Sequence, residues 1–173
     1  MDKTFLRVFV TSWLFEYVAN MPHAEYVLHR RVQFYETDVA GIVHFSWFFR
    51  YMEEAEHALW REAGLSIAAE GAEVGFPRLA ATCNFRAPLR FEDEFEVTIR
   101  VAEITRRTMR YTCLITRGET RIATGAMTIA CVGKRPGQVM KAVEFPPDVV
   151  ARFTVDPGAG SESATGNTRS RPG

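Results

Sequence analysis

The stretch that decides the fold is YETDVAGIVHFSWFFRYMEEAE, residues 35–56. It places a carboxylate, Asp38, directly before a turn of small residues that ends at Gly41. An aromatic-rich segment with helical spacing follows at once. Amides at the first turn of a helix can polarise a carbonyl while a neighbouring acid attacks it. The stretch therefore predicts an acid beside a helix N-terminus, an arrangement suited to catalysis.

The segment after the turn carries its apolar residues on one helical face, which predicts a helix of about 17 residues packed against a sheet. We expect Ser46 to be its N-cap and Gly64 to stop it. The face is unusually aromatic, and we expect its bulky members to form core rather than ligand contacts. These apolar positions are Trp47, Phe48, Tyr51, Met52, Ala55, Leu59 and Ala63.

Alternation of apolar and polar residues predicts strands on both sides of this helix. Residues 65–76 lack a clear period and are expected to be a connection, and 146–153 to form one or two helical turns. One strand, a long helix and four consecutive antiparallel strands indicate an α+β fold, with a sheet wrapped around one central helix. The predicted strands are 26–35, 78–87, 94–104, 109–117 and 121–132.

The chain ends differ in composition from the middle. Residues 1–24 form an N-terminal extension, for which Met21 is a candidate true start and a secretion signal is the less favoured alternative. The Gly, Ser, Thr and Pro-rich stretch that begins at Asp156 predicts a disordered tail, bounded at 154–173. Residues 25–153 remain as a single domain.

Charge and cysteine content exclude several classes of function. Lys+Arg and Asp+Glu both number 21, so no net charge attracts nucleic acid. No apolar run reaches the roughly 20 residues that a membrane span needs. The three cysteines are scattered, which predicts neither a disulfide framework nor a metal site and fits a reducing cytoplasm. We also find no P-loop, serine-hydrolase, zincin or dinucleotide-binding motif.

The sequence Asp38-Val-Ala-Gly-Ile-Val, with the helix that carries Phe48, Tyr51 and Glu53, resembles the signature of the 4-hydroxybenzoyl-CoA thioesterase family. The resemblance covers residues 25–153. It implies a hotdog fold and hydrolysis of an acyl-CoA or acyl-carrier-protein thioester. It also implies a homodimer or a dimer of dimers, no metal, and no cofactor, because coenzyme A is part of the substrate.

The resemblance assigns roles to four residues around the turn. Asp38 is expected to attack the thioester carbonyl or to deprotonate water, the alternative being a turn residue that caps backbone amides. The N–H of Phe45 is the expected oxyanion donor. His44 either relays a proton to the leaving thiolate or is simply packed. Gly41 either admits the acyl group closely or makes a plain tight turn.

Three further residues are substrate-binding candidates by the same resemblance. Glu53 is expected to line the acyl pocket or to support the subunit interface, the alternative being a solvated helix acid like Glu54 and Glu56. Arg106 and Arg107, at the turn before the 109–117 strand, are expected to hold phosphates of coenzyme A, or else to be ordinary surface charges.

Two departures from a bacterial subgroup of the family leave the acyl group open, whether aromatic or aliphatic. His44-Phe45 stands where that subgroup has Tyr-His, and Glu56 stands where it has Arg. Two rival functions also stay open. One is a hotdog dehydratase, which would need a His/acid dyad that we do not find in the sequence. The other is an acyl-ligand binder without catalysis.

Overall fold

A computed structural model describes residues 21–134 and 139–159. Most of the predicted N-terminal extension and the end of the predicted tail lie outside these residues. In chain order the elements are β1 (Glu25–Arg31), helix α1 (Phe45–Glu62), β2 (Val74–Gly75), β3 (Arg78–Phe85), β4 (Glu94–Ile104), β5 (Thr108–Arg117), β6 (Thr120–Ala130), β7 (Val132–Gly133) and helix α2 (Pro147–Val150).

Five strands form one antiparallel sheet in the order β1-β4-β5-β6-β3. The two short strands β2 and β7 pair separately. Helix α1 packs across the inner face of the large sheet, so the predicted α+β hotdog architecture is confirmed. The four strands that are consecutive in sequence are not all neighbours in the sheet, because β3 lies at the far edge beside β6.

The core lies between α1 and the sheet. Phe48, Tyr51, Met52 and Leu59 on the helix are buried, as the apolar spacing predicted. Trp60, which was not among the predicted positions, is also buried. The helix contacts β6 at Gly125, where a Cβ atom would lie 2.3 Å from the sulfur of Met52. This glycine lets the helix sit deep against the sheet.

The two ends of α1 show where the cap predictions succeed and fail. The predicted stop at Gly64 is confirmed: its φ is +72°, and the N–H of Leu65 donates to the carbonyl of Trp60 in a Schellman arrangement. The predicted N-cap Ser46 is wrong by two residues. The N-cap is His44, whose Nδ1 accepts from the N–H of Ser46 at 3.4 Å.

The first predicted strand is too long. β1 ends at Arg31, and a 3₁₀ turn covers Phe34–Glu36. The alternation continues through this turn, but the side chain of Glu36 points inward and is fully buried. A two-residue strand, β2, also interrupts the connection predicted at 65–76.

The predicted tail starts too early. Residues 154–159 stay on the fold, because the N–H of Thr154 donates to the carbonyl of His23 and that of Asp156 to the carbonyl of Val101. Ala159 is 1% exposed. The prediction rested on the polar composition of this stretch, and composition contains no information about backbone hydrogen bonds.

Candidate active site

Asp38 lies in a tight loop between the 3₁₀ turn and helix α1. Its N–H donates to the carbonyl of Ile42 at 2.9 Å, and its carbonyl accepts from the N–H of Gly41 at 2.9 Å. Gly41 has φ +70°, a backbone conformation in which a residue with a side chain would be strained. A bridge between Thr37 and Val43 closes the loop. The structure thus shows Gly41 in a turn role, and an additional role in admitting an acyl group stays a prediction.

The carboxylate of Asp38 is both capped and open. Oδ1 accepts the N–H of Ala40 at 2.8 Å, while no described residue donates to Oδ2. The side chain lines an open cleft of about 460 Å³. One oxygen is therefore fixed by the loop and the other is available to a ligand. The cleft is lined by Asp38, Ile42, Val43, Phe45, Phe48, Phe85, Arg86, Ala87 and Pro88.

Phe45 is the first residue of α1 and lines the same cleft as Asp38. No described residue accepts a hydrogen bond from its N–H. The first-turn amides of a helix lack partners within the helix, and the helix dipole makes them attractive to negative charge. Two residues that line the cleft therefore carry a carboxylate and an amide N–H without a partner among the described residues.

His44 is occupied at the helix start. Its Nδ1 lies 2.8 Å from Oγ of Ser46, and its ring lies against that of Phe45, with centroids 4.4 Å apart. The backbone N–H of His44 donates to the carbonyl of Glu36. These contacts explain His44 as a cap, and a direct chemical role stays a prediction.

The other predicted binding residues do not come to this cleft within one chain. Glu53 is half-exposed, and its carboxylate pairs at 3.1 Å with Arg50, which precedes it by one turn of the helix. Arg106 and Arg107 lie in the turn between β4 and β5, at the opposite end of the sheet from the cleft. Arg106 is exposed there and pairs with Glu144.

The alternative that described Glu56 as a solvated acid is wrong. Glu56 is fully buried and pairs with Arg78 at the start of β3. Burial raises the pKa of its carboxyl, and the hydrogen bond from Arg78 opposes that rise. Helical spacing alone does not show that an arginine on a distant strand lies opposite this position.

Sequence reasoning missed two residues near the cleft. Glu36 lies two residues before Asp38, one residue beyond the predicted strand 26–35, and is fully buried. Arg86 is exposed on the cleft wall, where it is the one cation among the lining residues. The signal for Glu36 is an acid within an aromatic run, since such an acid needs donors if it is buried.

Within the described residues there is no helix long and apolar enough to cross a membrane, and no group of three or more acidic, histidine or cysteine side chains placed to hold a metal ion. The cysteines Cys83, Cys113 and Cys131 are free thiols. Burial raises the pKa of the Cys83 thiol to about 11, which disfavours its reactive thiolate form.

Comparisons of the sequence and of the structure with known proteins point to the same family. Residues 32–153 match the model of the thioesterase-like superfamily. A curated Aquifex aeolicus (strain VF5) protein named "Putative esterase" is 36% identical over 128 residues, which are 72% of this chain and 94% of that protein. A solved gentisyl-coenzyme A thioesterase has a TM-score of 0.67 at 28% identity, over 75% of this chain and 100% of that one. A 4-hydroxybenzoyl-CoA thioesterase, at 16% identity, shares the fold, with a TM-score of 0.67 over 76% of this chain and 100% of its own.

Proposed function

The chain belongs to the thioesterase-like superfamily, and we propose that it hydrolyses acyl-CoA thioesters to the free acid and coenzyme A, with Asp38 as the catalytic carboxylate. The observation that carries the proposal is the cleft itself. Asp38 and Phe45 both line it, most of its lining is apolar, and no described residue hydrogen-bonds to Oδ2 of Asp38 or to the N–H of Phe45. A nucleophile or base and an oxyanion donor are the two groups that acyl transfer requires.

Two routes fit this pair of groups. In the first, Oδ2 of Asp38 attacks the carbonyl carbon, the C–S bond breaks, and coenzyme A leaves as a thiolate that takes up a proton. Water then cleaves the mixed anhydride and restores the carboxylate. In the second, Asp38 removes a proton from a water molecule that attacks the carbonyl carbon, the C–S bond breaks, and coenzyme A leaves as a thiolate that takes up a proton. In both routes the N–H of Phe45 donates to the carbonyl oxygen as it becomes negative, an interaction worth about 100- to 1,000-fold in rate.

The cleft wall supports an assignment of substrate parts. Ile42, Phe48 and Phe85 offer apolar surface to an acyl group, and Phe48 and Phe85 meet edge to face with centroids 5.0 Å apart. We assign Arg86 to a negatively charged part of the coenzyme A moiety, since phosphates need cationic or amide partners. The similarity to a gentisyl-coenzyme A thioesterase favours aromatic acyl groups as the first to test.

A homodimer through β3 is part of this proposal. β3 is an edge strand, and its exposed residues include Leu79 at 61% and Phe85 at 49% exposure. An unpaired, apolar edge strand favours pairing with a second copy. Because Phe85 also lines the cleft, such a partner would complete the cleft wall. A second copy is also how Arg106 and Arg107 could reach the substrate.

The test is release of free thiol from a panel of thioesters that includes gentisyl-CoA, 4-hydroxybenzoyl-CoA, hexanoyl-CoA, palmitoyl-CoA and a carrier-protein thioester. We expect steady turnover of at least one class, and the preferred member identifies the acyl group. Binding of the same compounds without thiol release would contradict the proposal in favour of an acyl-ligand binder. Loss of water from a 3-hydroxyacyl-CoA without thiol release would favour the dehydratase.

A further inference from the structure

Glu36 is the most fully hydrogen-bonded acid near the cleft, and it does not reach the cleft itself. Its side chain is 0% exposed. Oε1 accepts from Nη2 of Arg30 at 2.8 Å, while Oε2 accepts from the hydroxyl of Tyr51 at 2.7 Å and the N–H of Gln33 at 2.8 Å. A buried carboxylate with three donors is well compensated for the loss of water.

These donors come from three different parts of the fold. Arg30 belongs to β1, Tyr51 to α1, and Gln33 to the segment that enters the 3₁₀ turn. Arg30 also pairs with Glu54 on the helix, and its guanidinium lies 4.8 Å from the centre of the Tyr51 ring. The Glu36 carboxylate therefore joins the sheet, the turn and the helix at one point.

The main chain of Glu36 connects this junction to both reacting groups. Its carbonyl accepts the N–H of His44 at 2.9 Å, and His44 immediately precedes Phe45. In the other direction, Asp38 follows Glu36 by only two residues. The position of the Asp38 carboxylate relative to the Phe45 N–H thus depends on how Glu36 is held.

We propose that Glu36 is a positioning residue, which sets the separation between the Asp38 carboxylate and the Phe45 N–H through its contacts with Arg30, Tyr51 and His44. This inference rests on the proposed function for its kinetic consequence. A misplacement of about 1 Å in a reacting geometry costs on the order of 100-fold in rate. The side-chain hydrogen-bond partners of Glu36 are Arg30, Gln33 and Tyr51, none of which lines the cleft, so we expect its loss to change kcat rather than KM.

The test is Glu36→Gln, which keeps the shape but turns an amide group toward Arg30 or Tyr51. The matched control is Glu56→Gln, because Glu56 is equally buried and arginine-paired but lies on the far part of the helix. Assays are run at a temperature below the thermal unfolding transitions of both variants. We expect kcat to fall about 10- to 100-fold in Glu36→Gln with KM nearly unchanged, and kcat to be unchanged in Glu56→Gln. Equal kcat losses in the two variants, or no loss in either, would overturn the inference.

A double-mutant cycle separates positioning from general damage. If Glu36 acts through Asp38, then Glu36→Gln has little further effect in an Asp38→Asn background, because effects of residues in one unit do not add. Fully additive losses would contradict the inference. If the wild type turns over thioesters and Glu36→Gln has the same kcat, the inference is contradicted while the proposed function stands.

Amide hydrogen exchange tests the inference even if no thioester is turned over. The N–H groups of Asp38, Gly41 and His44 are hydrogen-bonded within the loop and to Glu36. We expect them to exchange faster in Glu36→Gln than in Glu56→Gln, measured against the slow amides of β5. Equal exchange in both variants would show that Glu36 does not hold this loop.

Discussion

Two buried glutamates pair with arginines at opposite ends of helix α1, Glu36 on the 3₁₀ turn before the helix and Glu56 on the helix itself, but the two sites are built differently. Near the N-terminus, Glu36 satisfies both oxygens with three donors. Toward the C-terminus, Glu56 pairs with Arg78, and its Oε1 has no partner among the described residues. The first site lies behind an open cleft, whereas the second lies in the closed core beneath β3.

This difference indicates which of the two buried glutamates serves the proposed active site. A buried ion pair that replaces apolar packing is weak evidence for stability, since desolvation offsets much of the attraction. The Glu56 pair holds α1 to the sheet at some cost. The Glu36 network instead lies two residues from Asp38, which lines the cleft. The predictions below test this contrast with matched substitutions at the two sites.

Apart from substitutions of Asp38 and Glu36 themselves, the largest effect is expected from removal of a buried tyrosine hydroxyl. Tyr51→Phe takes one donor from Glu36, and Tyr111→Phe removes the acceptor of the Trp60 indole N–H, which lies 3.0 Å away. Hydrogen bonds of these kinds are worth about 1–3 kcal/mol. We expect urea unfolding to show similar destabilisation of the two variants, whereas only Tyr51→Phe lowers kcat. A similar kcat in the two variants would contradict the proposed difference between the Glu36 network and the rest of the core.

A smaller effect is expected from the titration of Glu56. Its pKa is raised above the usual 4.5 by burial, so the folded state holds a proton that the unfolded state has released. The stabilisation from this proton is complete below the usual pKa and is lost as pH rises through the raised pKa. The change is at most about 1.4 kcal/mol per pH unit for one proton.

Urea unfolding from about pH 4 to about pH 8, which runs from just below the usual carboxyl pKa to well above it, measures this term. The free energy of unfolding of the wild type, minus that of Glu56→Gln, should fall as pH rises. A difference that grows with pH would mean that the pair with Arg78 outweighs burial.

The smallest effect is expected at Arg86, because exposed charge contacts contribute little. Arg86→Gln should raise KM for acyl-CoA about two- to five-fold with kcat unchanged. Arg61→Gln is the control, since Arg61 is exposed near the end of α1. An increase in KM for Arg106→Gln but not for Arg86→Gln would move phosphate binding to the far end of the sheet and to a second subunit.

The central part of the fold was predictable because its signals are local. The 3.6-residue spacing of the helix, the glycine at its end and the alternation in 94–104 each follow from backbone geometry. The element order then indicated a sheet around one helix. The sheet order was not predictable from alternation, because nothing in the pattern of 78–85 states that this strand pairs with β6 rather than β4.

The candidate site was predictable only in part. Asp38, Gly41 and Phe45 lie in one continuous stretch, so a local pattern could bring them together, and the structure places them at one loop and helix start. The supporting contacts join distant segments. Glu36 is explained by Arg30 and Tyr51, and Glu56 by Arg78, and sequence spacing does not contain such pairings.

The most direct measurement is kcat/KM for the best thioester with Asp38→Asn, beside the control Asp148→Asn. Asparagine keeps the size of the side chain and its acceptor for the Ala40 N–H, but it removes the charge, whereas Asp148 is exposed on α2, away from the cleft. The account predicts a loss of at least about 100-fold in Asp38→Asn and none in Asp148→Asn. Equal turnover by wild type and Asp38→Asn would contradict it, and the chemistry would then have to lie with His44 or Glu53.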